Sequence, residues 1–423
     1  MSVGADWLLA QGEDAKLLYV GATAFFSDDP THIGVAVSGG SDSMAMLHVL
    51  ARVASQTGWS VSAVTVDHGL RPEAAAEARF VSETCATLGV THDILRWERT
   101  QTSGNLQDQA ARARYRLIAG WAKDKAITHV TIGHTADDQA ETFIMRLARR
   151  SGIDGLSGMR HVWTECGMRF RRPFLLWERA DLRAYLMRNG LRWIEDPSNA
   201  NDRFERVKTR KVLVHLAKLG ITTDVLTDVT LHLSQAQDAL DAFTRDVARQ
   251  IVGQVLGDVT IDWRKFQTTP PELQRRLLIA ALQWVSGAIY PPRSTAMQAL
   301  EMAITSQKGR TLSGCWMTCV DGTVRISREH KAVRDVKGRT DQLWDRRWLL
   351  NGPHAPGLEV GALGAAGLKL CPDWRATGMP RTSLAASPAV WQGETLIAAP
   401  LAGFNDAWTA RIVTDFHASL LSH

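Results

Sequence analysis

The segment Gly34-Val35-Ala36-Val37-Ser38-Gly39-Gly40-Ser41-Asp42-Ser43-Met44-Ala45-Met46-Leu47-His48-Val49-Leu50 runs from an apolar stretch through a Ser/Gly turn into a helical pattern. With Ile33, its first residues form a short β-branched run suited to a fully buried strand. Two adjacent glycines let the backbone turn sharply and approach a ligand. The amides of Gly39, Gly40 and Ser41, with the helix N-terminus behind them, then present N–H donors and a positive dipole end to an anion. Ser38, Ser41 and Ser43 add hydroxyl donors. Asp42 beside an anion asks for a cation or an attacking group to hold. The competing reading is an ordinary Ser-capped helix start, which suffices for an SGG alone. The GK[ST] ending of a Walker A loop is missing, so kinase or GTPase chemistry is not supported.

Working outward, short β-branched runs alternate with helical stretches from Ile33 to Pro173. The strands expected are Ile33–Val37, Val61–Val66, His92–Trp97, Thr128–Gly133 and Arg169–Phe174. The helices expected are Ser43–Ala54, Ala74–Leu88, Leu106–Lys125, Thr135–Arg149 and Glu178–Asn189. This is the pattern of an α/β domain with a doubly wound parallel sheet. From Val212 the pattern changes. Residues 222–256 and 271–285 read as amphipathic helices, the second with Leu277, Leu278, Ala281, Leu282 and Val285 at helical spacing. Short strands are expected at Arg310–Gly314, Val324–Arg328, Trp348–Leu350 and Gly367–Leu370. The expected organisation is therefore a catalytic domain at 1–211, a helical middle domain at 212–334 and a small strand-rich C-terminal domain at 335–423.

The 423 residues are 45% hydrophobic and 22% charged, which excludes wholesale disorder and fibrous repeats. No apolar run reaches eighteen residues, so no membrane span is expected. The acidic N-terminus does not read as a signal peptide, and five cysteines without short paired spacing fit a reduced, cytoplasmic protein. A net charge of +5 permits a polyanionic partner without demanding one.

The full SGGSDS after an apolar strand resembles the PP-loop of the N-type ATP pyrophosphatases. Four further segments, in order, are similar to one PP-loop family, the tRNA(Ile)-lysidine synthases. They are Asp67-His68-Gly69-Leu70-Arg71; Asn105-Leu106 with Ala111–Tyr115; His134-Thr135-Ala136-Asp137-Asp138-Gln139-Ala140-Glu141-Thr142; and Glu195-Asp196-Pro197-Ser198-Asn199 with Phe204-Glu205-Arg206. The match frays at Val207, where the family usually carries an asparagine. Beyond Val212 it is looser, with Gly309–Cys315, Pro388–Trp391 and Ala399-Pro400 as the traces.

The residues of the third segment also have a reading of their own. On a helix, His134, Asp137, Asp138 and Glu141 fall at i, i+3, i+4 and i+7, which is one face. Clustered carboxylates cost stability unless a cation offsets them. The alternative is that acids in a first turn complement the helix dipole. One histidine without a second His or Cys at ligand spacing disfavours zinc. The Gly-rich stretch Ser151–Met159, after Arg146, Arg149 and Arg150, is either a mobile phosphate-contacting loop or a simple chain reversal. Trp344, Trp348, Trp374 and Trp391 either stack on bases or fill a core.

The resemblance implies an ATP-dependent ligase that joins L-lysine to C2 of the wobble cytidine of the tRNA(Ile) with a CAU anticodon, through an adenylated base. ATP would be bound by Ser38, Gly39, Gly40, Ser41, Asp42, Ser43 and His134. Asp42 and Asp138 would hold Mg²⁺, and Asp137 and Glu141 the lysine. Arg114 would address the adenylate, with Asp42, Asp137, Glu141 and Arg114 as the catalytic set. Arg149, Arg150, Arg206, Lys208 and Arg210 would meet tRNA, and the assembly is left open, a homodimer included. Rival readings are a PP-loop tRNA 2-thiolase, which needs sulfur-handling cysteines where Cys315 and Cys319 give only a C-x₃-C; a glutamine-dependent amidotransferase, for which no glutaminase domain is present; and a non-catalytic tRNA-binding protein.

Overall fold

A computed structural model describes residues 5–25, 28, 30–67, 69, 74–97, 106–195, 205–306 and 308–420. Five positions of the quoted segments, His68, Leu70, Arg71, Asn105 and Phe204, lie outside them, as does the whole run Asp196–Asn199. The chain divides into two compact units, Met1–Gln237 and Asp238–His423.

The first unit begins with α1 (Ala5–Leu9) and α2 (Ala15–Thr23). Then follow β1 (His32–Ala36), α3 (Ser41–Thr57), β2 (Ser60–Asp67), α4 (Ala74–Leu88), β3 (Thr91–Arg96), α5 (Leu106–Asp124), β4 (His129–Ile132) and α6 (Ala136–Ala148). A short turn, α7 (Ile153–Leu156), leads to β5 (Val162–Glu165), β6 (Met168–Arg171), α8 (Arg179–Arg188), α9 (Glu205–Ala217) and α10 (Thr223–Ile251), which carries the chain into the second unit. The sheet order is β3-β2-β1-β4-β6-β5. All neighbours are parallel except β5, which folds back on β6 as an edge hairpin that periodicity alone did not show.

Helices cover both faces. On one, α3 is buried along most of its length, with Met44, Leu47 and Leu50 at 0% exposure packed with Ile33, Val35, Leu182 and Leu186. Each such side chain contributes about 2 kcal/mol by leaving water. On the other, Ile118 and Ala122 of α5 pack on Val130, Ile132 and Phe170. The functional consequence lies in the order. β1 has β2 on one side and β4 on the other, so the connections leaving β1 and β4 diverge. A crevice opens outside the carboxyl ends of strands at such a reversal, and this is where open α/β sheets take ligands.

The second unit has two cores. The first packs the C-terminal part of α10, α12 (Pro271–Ser286) and α13 (Ser294–Thr305) on a five-stranded antiparallel sheet. That sheet joins β7 (Val252–Val255), β8 (Asp258–Asp262), β9 (Arg310–Leu312), β10 (Cys315–Val320) and β11 (Thr323–Arg328). The expected apolar stripe of α12 is the buried one. The second core, from Val333 to Trp408, is built on small antiparallel sheets. Trp344 and Trp348 are buried in it, so their role is packing. The strand expected at Gly367–Leu370 is instead the end of a short helix, Gly364–Leu368. The boundary expected after residue 211 falls inside α9, which packs on α6, and that after 334 falls where one core of the second unit gives way to the other.

Candidate active site

The loop after β1 and the segment after β4 meet in a cleft of about 540 Å³. Its walls include Ser38, Gly40, Ser41, Asp42 and Ser43 from the loop, with Arg114 from α5 and His134 and Asp138 from the far side. Gly39 takes φ +87, a left-handed conformation in which a Cβ would also lie 3.0 Å from Ile194 Cδ1. Gly40 is the N-cap of α3, yet no side chain caps the helix, so its first amides are left for a ligand. The serines are spent on the loop instead. Ser43 Oγ donates to Gly40 O (3.1 Å) and accepts from the Ser38 amide (3.1 Å). From β2, Thr65 Oγ1 donates to Val37 O (2.8 Å) and meets His92 Nε2 (2.9 Å), which buttresses the loop's entry. Gly133 crosses so close that a Cβ there would lie 3.1 Å from the backbone of Asp42 and Ser43. Loop and β4 segment are thus in backbone contact, and both ends of the nucleotide cradle are fixed before a ligand enters.

The acidic segment differs from the sequence expectation in one respect with chemical consequences. α6 starts at Ala136 with Thr135 as N-cap, so His134 lies before the helix and does not share its face. Asp138 closes the capping box, its Oδ2 accepting from the Thr135 amide (3.0 Å) and hydroxyl (3.2 Å). Asp137 turns toward α8, where Oδ2 accepts from the Arg179 amide (2.7 Å). Asp138 and Glu141 are left near Asp42, and guanidinium groups hold all three. Arg179 Nε donates to Asp42 (2.9 Å), and its terminal nitrogens lie 3.5 Å from Asp138 and 3.8 Å from Glu141. Arg206 donates to Asp138 (3.1 Å) and Arg210 to Glu141 (2.6 Å). The cation that offsets these carboxylates is, in this structure, supplied by the protein itself.

Burial opposes ionisation of all three acids, with different results. It raises Asp42 and Glu141 despite Arg179 and Arg210. Asp138 is lowered, because the Arg179 and Arg206 guanidinium groups and the Thr135 amide outweigh its burial. Glu141 is 0% exposed, and its Oε2 is buried without a hydrogen-bond partner. A buried carboxylate oxygen in that state lacks a donor. Arg114 Nε is likewise buried and unpartnered at the cleft wall. His134 is pushed down to about 3 by burial and by the Arg172 guanidinium, so its ring is neutral.

The arginines of α8 were missed. Arg179 and Arg183 stand one turn apart and both line the cleft, Arg183 reaching Ser41 Oγ (3.4 Å) and Glu195. The signal was present as Glu178-Arg179-Ala180-Asp181-Leu182-Arg183, a capped helix start after a strand with basic residues at i and i+4. Of the residues expected at tRNA, Arg206 and Arg210 turn into the carboxylate cluster, while Arg149, Arg150 and Lys208 are exposed. The Gly-rich stretch is pinned rather than free. Arg146 Nη1 donates to Gly155 O (2.6 Å) and Gly158 O (3.2 Å), and the Gln139 amide bonds Met159 twice. Val207, at the family's asparagine position, is buried.

Comparison with known proteins follows this geometry. The ATP_bind_3 model, a PP-loop domain, matches residues 17–217, the stretch that builds the cleft. A tRNA(Ile)-lysidine synthase of Ruegeria pomeroyi is 45% identical over 94% of this chain and 96% of its own length. The chain belongs to the tRNA(Ile)-lysidine synthase family. Synthases of this name from the Wolbachia pipientis strain wMel (35% identical, 75% of this chain and 74% of its own) and Hyphomonas neptunium (40%, 68% and 79%) are similar to it as well. The first of these relatives aligns across both units. No helix among the described residues is long and apolar enough to cross a membrane.

Proposed function

We propose that the chain is an ATP-using ligase that joins L-lysine to C2 of the wobble cytidine in the tRNA(Ile) bearing a CAU anticodon, acting in the cytoplasm. The observation that carries the reading is the uncapped, glycine-turned N-terminus of α3 sharing one cleft with the buried Asp138 carboxylate and with Arg179 and Arg210, which hold Glu141. One wall suits phosphates and the other suits an amine. The C2 oxygen of the cytidine attacks the α-phosphate of ATP, the bond to pyrophosphate breaks, and an adenylated base remains. The lysine amine then attacks C2, AMP departs, and the amine loses its proton.

The loop amides of Gly39, Gly40 and Ser41 and the hydroxyls of the loop serines address the departing pyrophosphate. Arg114, with an unpartnered Nε at the wall, meets charge developing on the α-phosphate. Asp42 and Asp138 share the Arg179 guanidinium, which makes them a two-carboxylate donor set of the kind Mg²⁺ completes with phosphates and water. Among the described residues no group of three or more His, Cys, Asp or Glu side chains is placed to hold a metal by itself. Bound there, Mg²⁺ supplies charge neutralisation on the phosphates.

Glu141 takes the lysine ammonium at Oε2. Its raised affinity for a proton also suits it to receive the one the amine must lose. Asp137, its Oδ2 engaged by the Arg179 amide, is the second carboxylate of that subsite. Arg149, Arg150, Lys208, Arg206 and Arg210 would lie along the RNA, the last two after exchanging a carboxylate for phosphate. The middle (212–334) and C-terminal (335–423) regions would hold the tRNA body. Incorporation of labelled lysine into purified tRNA, with AMP and pyrophosphate released only when the anticodon is CAU, tests the whole reading. Activity that instead demands a sulfur donor ends it in favour of the thiolase.

A further inference from the structure

Arg172 lies just past β6 at the carboxyl edge of the sheet. β4 and β6 are parallel, with Thr131 opposite Arg171, so the segments carrying His134 and Arg172 leave neighbouring strands at the same edge. The His134 amide bends back to Ile132 O (3.0 Å), and the ring then receives Arg172 Nε at Nδ1 (2.8 Å). Arg172 is held on every side. Its Nη1 donates to Arg160 O (2.7 Å), its amide donates to His161 O (2.9 Å), and its guanidinium lies 3.7 Å over the Trp163 ring. Trp163 stacks on Phe170 and meets Tyr115 edge-on. At 8% exposure, this arginine has no room to reorient.

A guanidinium donates and never accepts. The nitrogen it addresses must therefore carry a lone pair, and the single proton of a neutral imidazole sits on the other nitrogen. We propose that Arg172 is a positioning residue that locks His134 in the Nε2–H tautomer and so presents a neutral, donor-only N–H to a phosphate oxygen of the nucleotide. The inference rests on the ATP-binding reading of the cleft and assigns His134 one role while removing another. With Nδ1 occupied and Nε2 protonated, His134 has no lone pair to accept a proton from the lysine amine. That task stays with the carboxylates. The charged groups facing His134 are Arg172 after β6, Asp138 of α6, Arg114 of α5 and Arg206 of α9.

The test uses the full chain with ¹⁵N-labelled histidine. At pH 7 the wild-type His134 spectrum, assigned by loss of its signals in His134→Gln, is expected to show a pyridine-like Nδ1 and a pyrrole-like Nε2. The Arg172→Met spectrum is expected to show a mixture of tautomers or the imidazolium. The KM for ATP should rise about tenfold in Arg172→Met, with a smaller rise in Arg172→Lys, which keeps a donor. Wild-type His134 protonated at Nδ1, or on both nitrogens at pH 7, overturns the proposal even if every variant fails to fold. An unchanged tautomer and KM in a folded Arg172→Met overturns it equally. Failure of wild-type protein to bind ATP at all refutes the nucleotide reading and leaves the tautomer result standing by itself.

Discussion

Replacing Arg179 with Met tests whether one guanidinium holds the carboxylate cluster together. The side chain is 20% exposed and lies 2.9 Å from Asp42, 3.5 Å from Asp138 and 3.8 Å from Glu141. At an effective dielectric constant near 20, each contact is a gross attraction of about 4–6 kcal/mol. Most of that is offset by the cost of bringing the charges out of water. Asp138 keeps Arg206 and Glu141 keeps Arg210, so Asp42 is the group left without a cation. Removing one partner of a buried pair costs about 3–5 kcal/mol. Taking about 3 kcal/mol, the melting temperature of a unit this size falls by roughly 6–12 °C. The sign with pH follows from Asp42, already raised by burial and raised further once Arg179 is gone. A carboxyl raised in the folded state has its full stability only below the unfolded value of 3.8 and loses it as pH rises from there through the folded pKa. The deficit of Arg179→Met should therefore be larger at pH 8 than at pH 5. If Asp42 and Asp138 also accept Mg²⁺, added Mg²⁺ should stabilise the variant more than the wild type, because Arg179 no longer competes for Asp42. Thermal unfolding at both pH values, with and without Mg²⁺, reads all three effects. A loss below about 2 °C that is equal at pH 5 and pH 8 refutes the electrostatic account of the cluster.

Three further outcomes are expected. Glu141→Gln should raise the KM for lysine about 10- to 100-fold, the worth of a charged hydrogen bond, while tRNA-dependent pyrophosphate release without lysine persists; loss of both steps together argues against an amine subsite at Oε2. Gly39→Ala forces a Cβ into a left-handed position 3.0 Å from Ile194, so ATP affinity should drop at a cost to folding of about 1–2 kcal/mol, and an unchanged dissociation constant in calorimetry contradicts the loop assignment. Asp14, buried yet lowered by Asn189, Arg188 and Arg52, ties the N-terminal helices to α8. Its contribution is present above the unfolded value of 3.8 and lost as pH falls through the folded one, so Asp14→Asn should destabilise at pH 7 and converge with wild type only once pH has fallen below that lowered value in denaturant titrations.

The parts of the site legible in the sequence are those whose chemistry is local. Gly39, Gly40 and the serines announce an anion cradle because turn geometry and orphan amides need only neighbours in the chain. The alternating pattern likewise places the loop at the edge of a parallel sheet, and the β1/β4 reversal then follows from topology. The electrostatic character of the opposite wall was not legible in the same way. Asp137, Asp138 and Glu141 read as an acidic face, yet their neutralising arginines arrive from α8 and α9, 38 to 69 residues later. Arg179 reaches Asp42 across 137 residues. Where α6 begins also matters, since a start at Ala136 leaves His134 before the helix and off the face that the acids share.

Arg172 is the instructive middle case. It was readable in principle, as a basic residue directly past the strand that neighbours β4, at the edge where parallel sheets take ligands. What hid it was its company. Arg169 and Arg171 in the same strand are spent on Asp28, far from the nucleotide loop, and the alternation of a strand sends Arg172 the other way. In a parallel sheet the face and the edge of a basic residue therefore say more about its partner than a count of basic residues does. By that criterion the +5 of the whole chain carries little information about the site. Around Asp42, Asp138 and Glu141 stand Arg179, Arg206 and Arg210, one guanidinium for each carboxylate. A ligand that brings both phosphate and ammonium can exchange partners with such a cluster without leaving an unpaired charge, which a purely acidic pocket could not do.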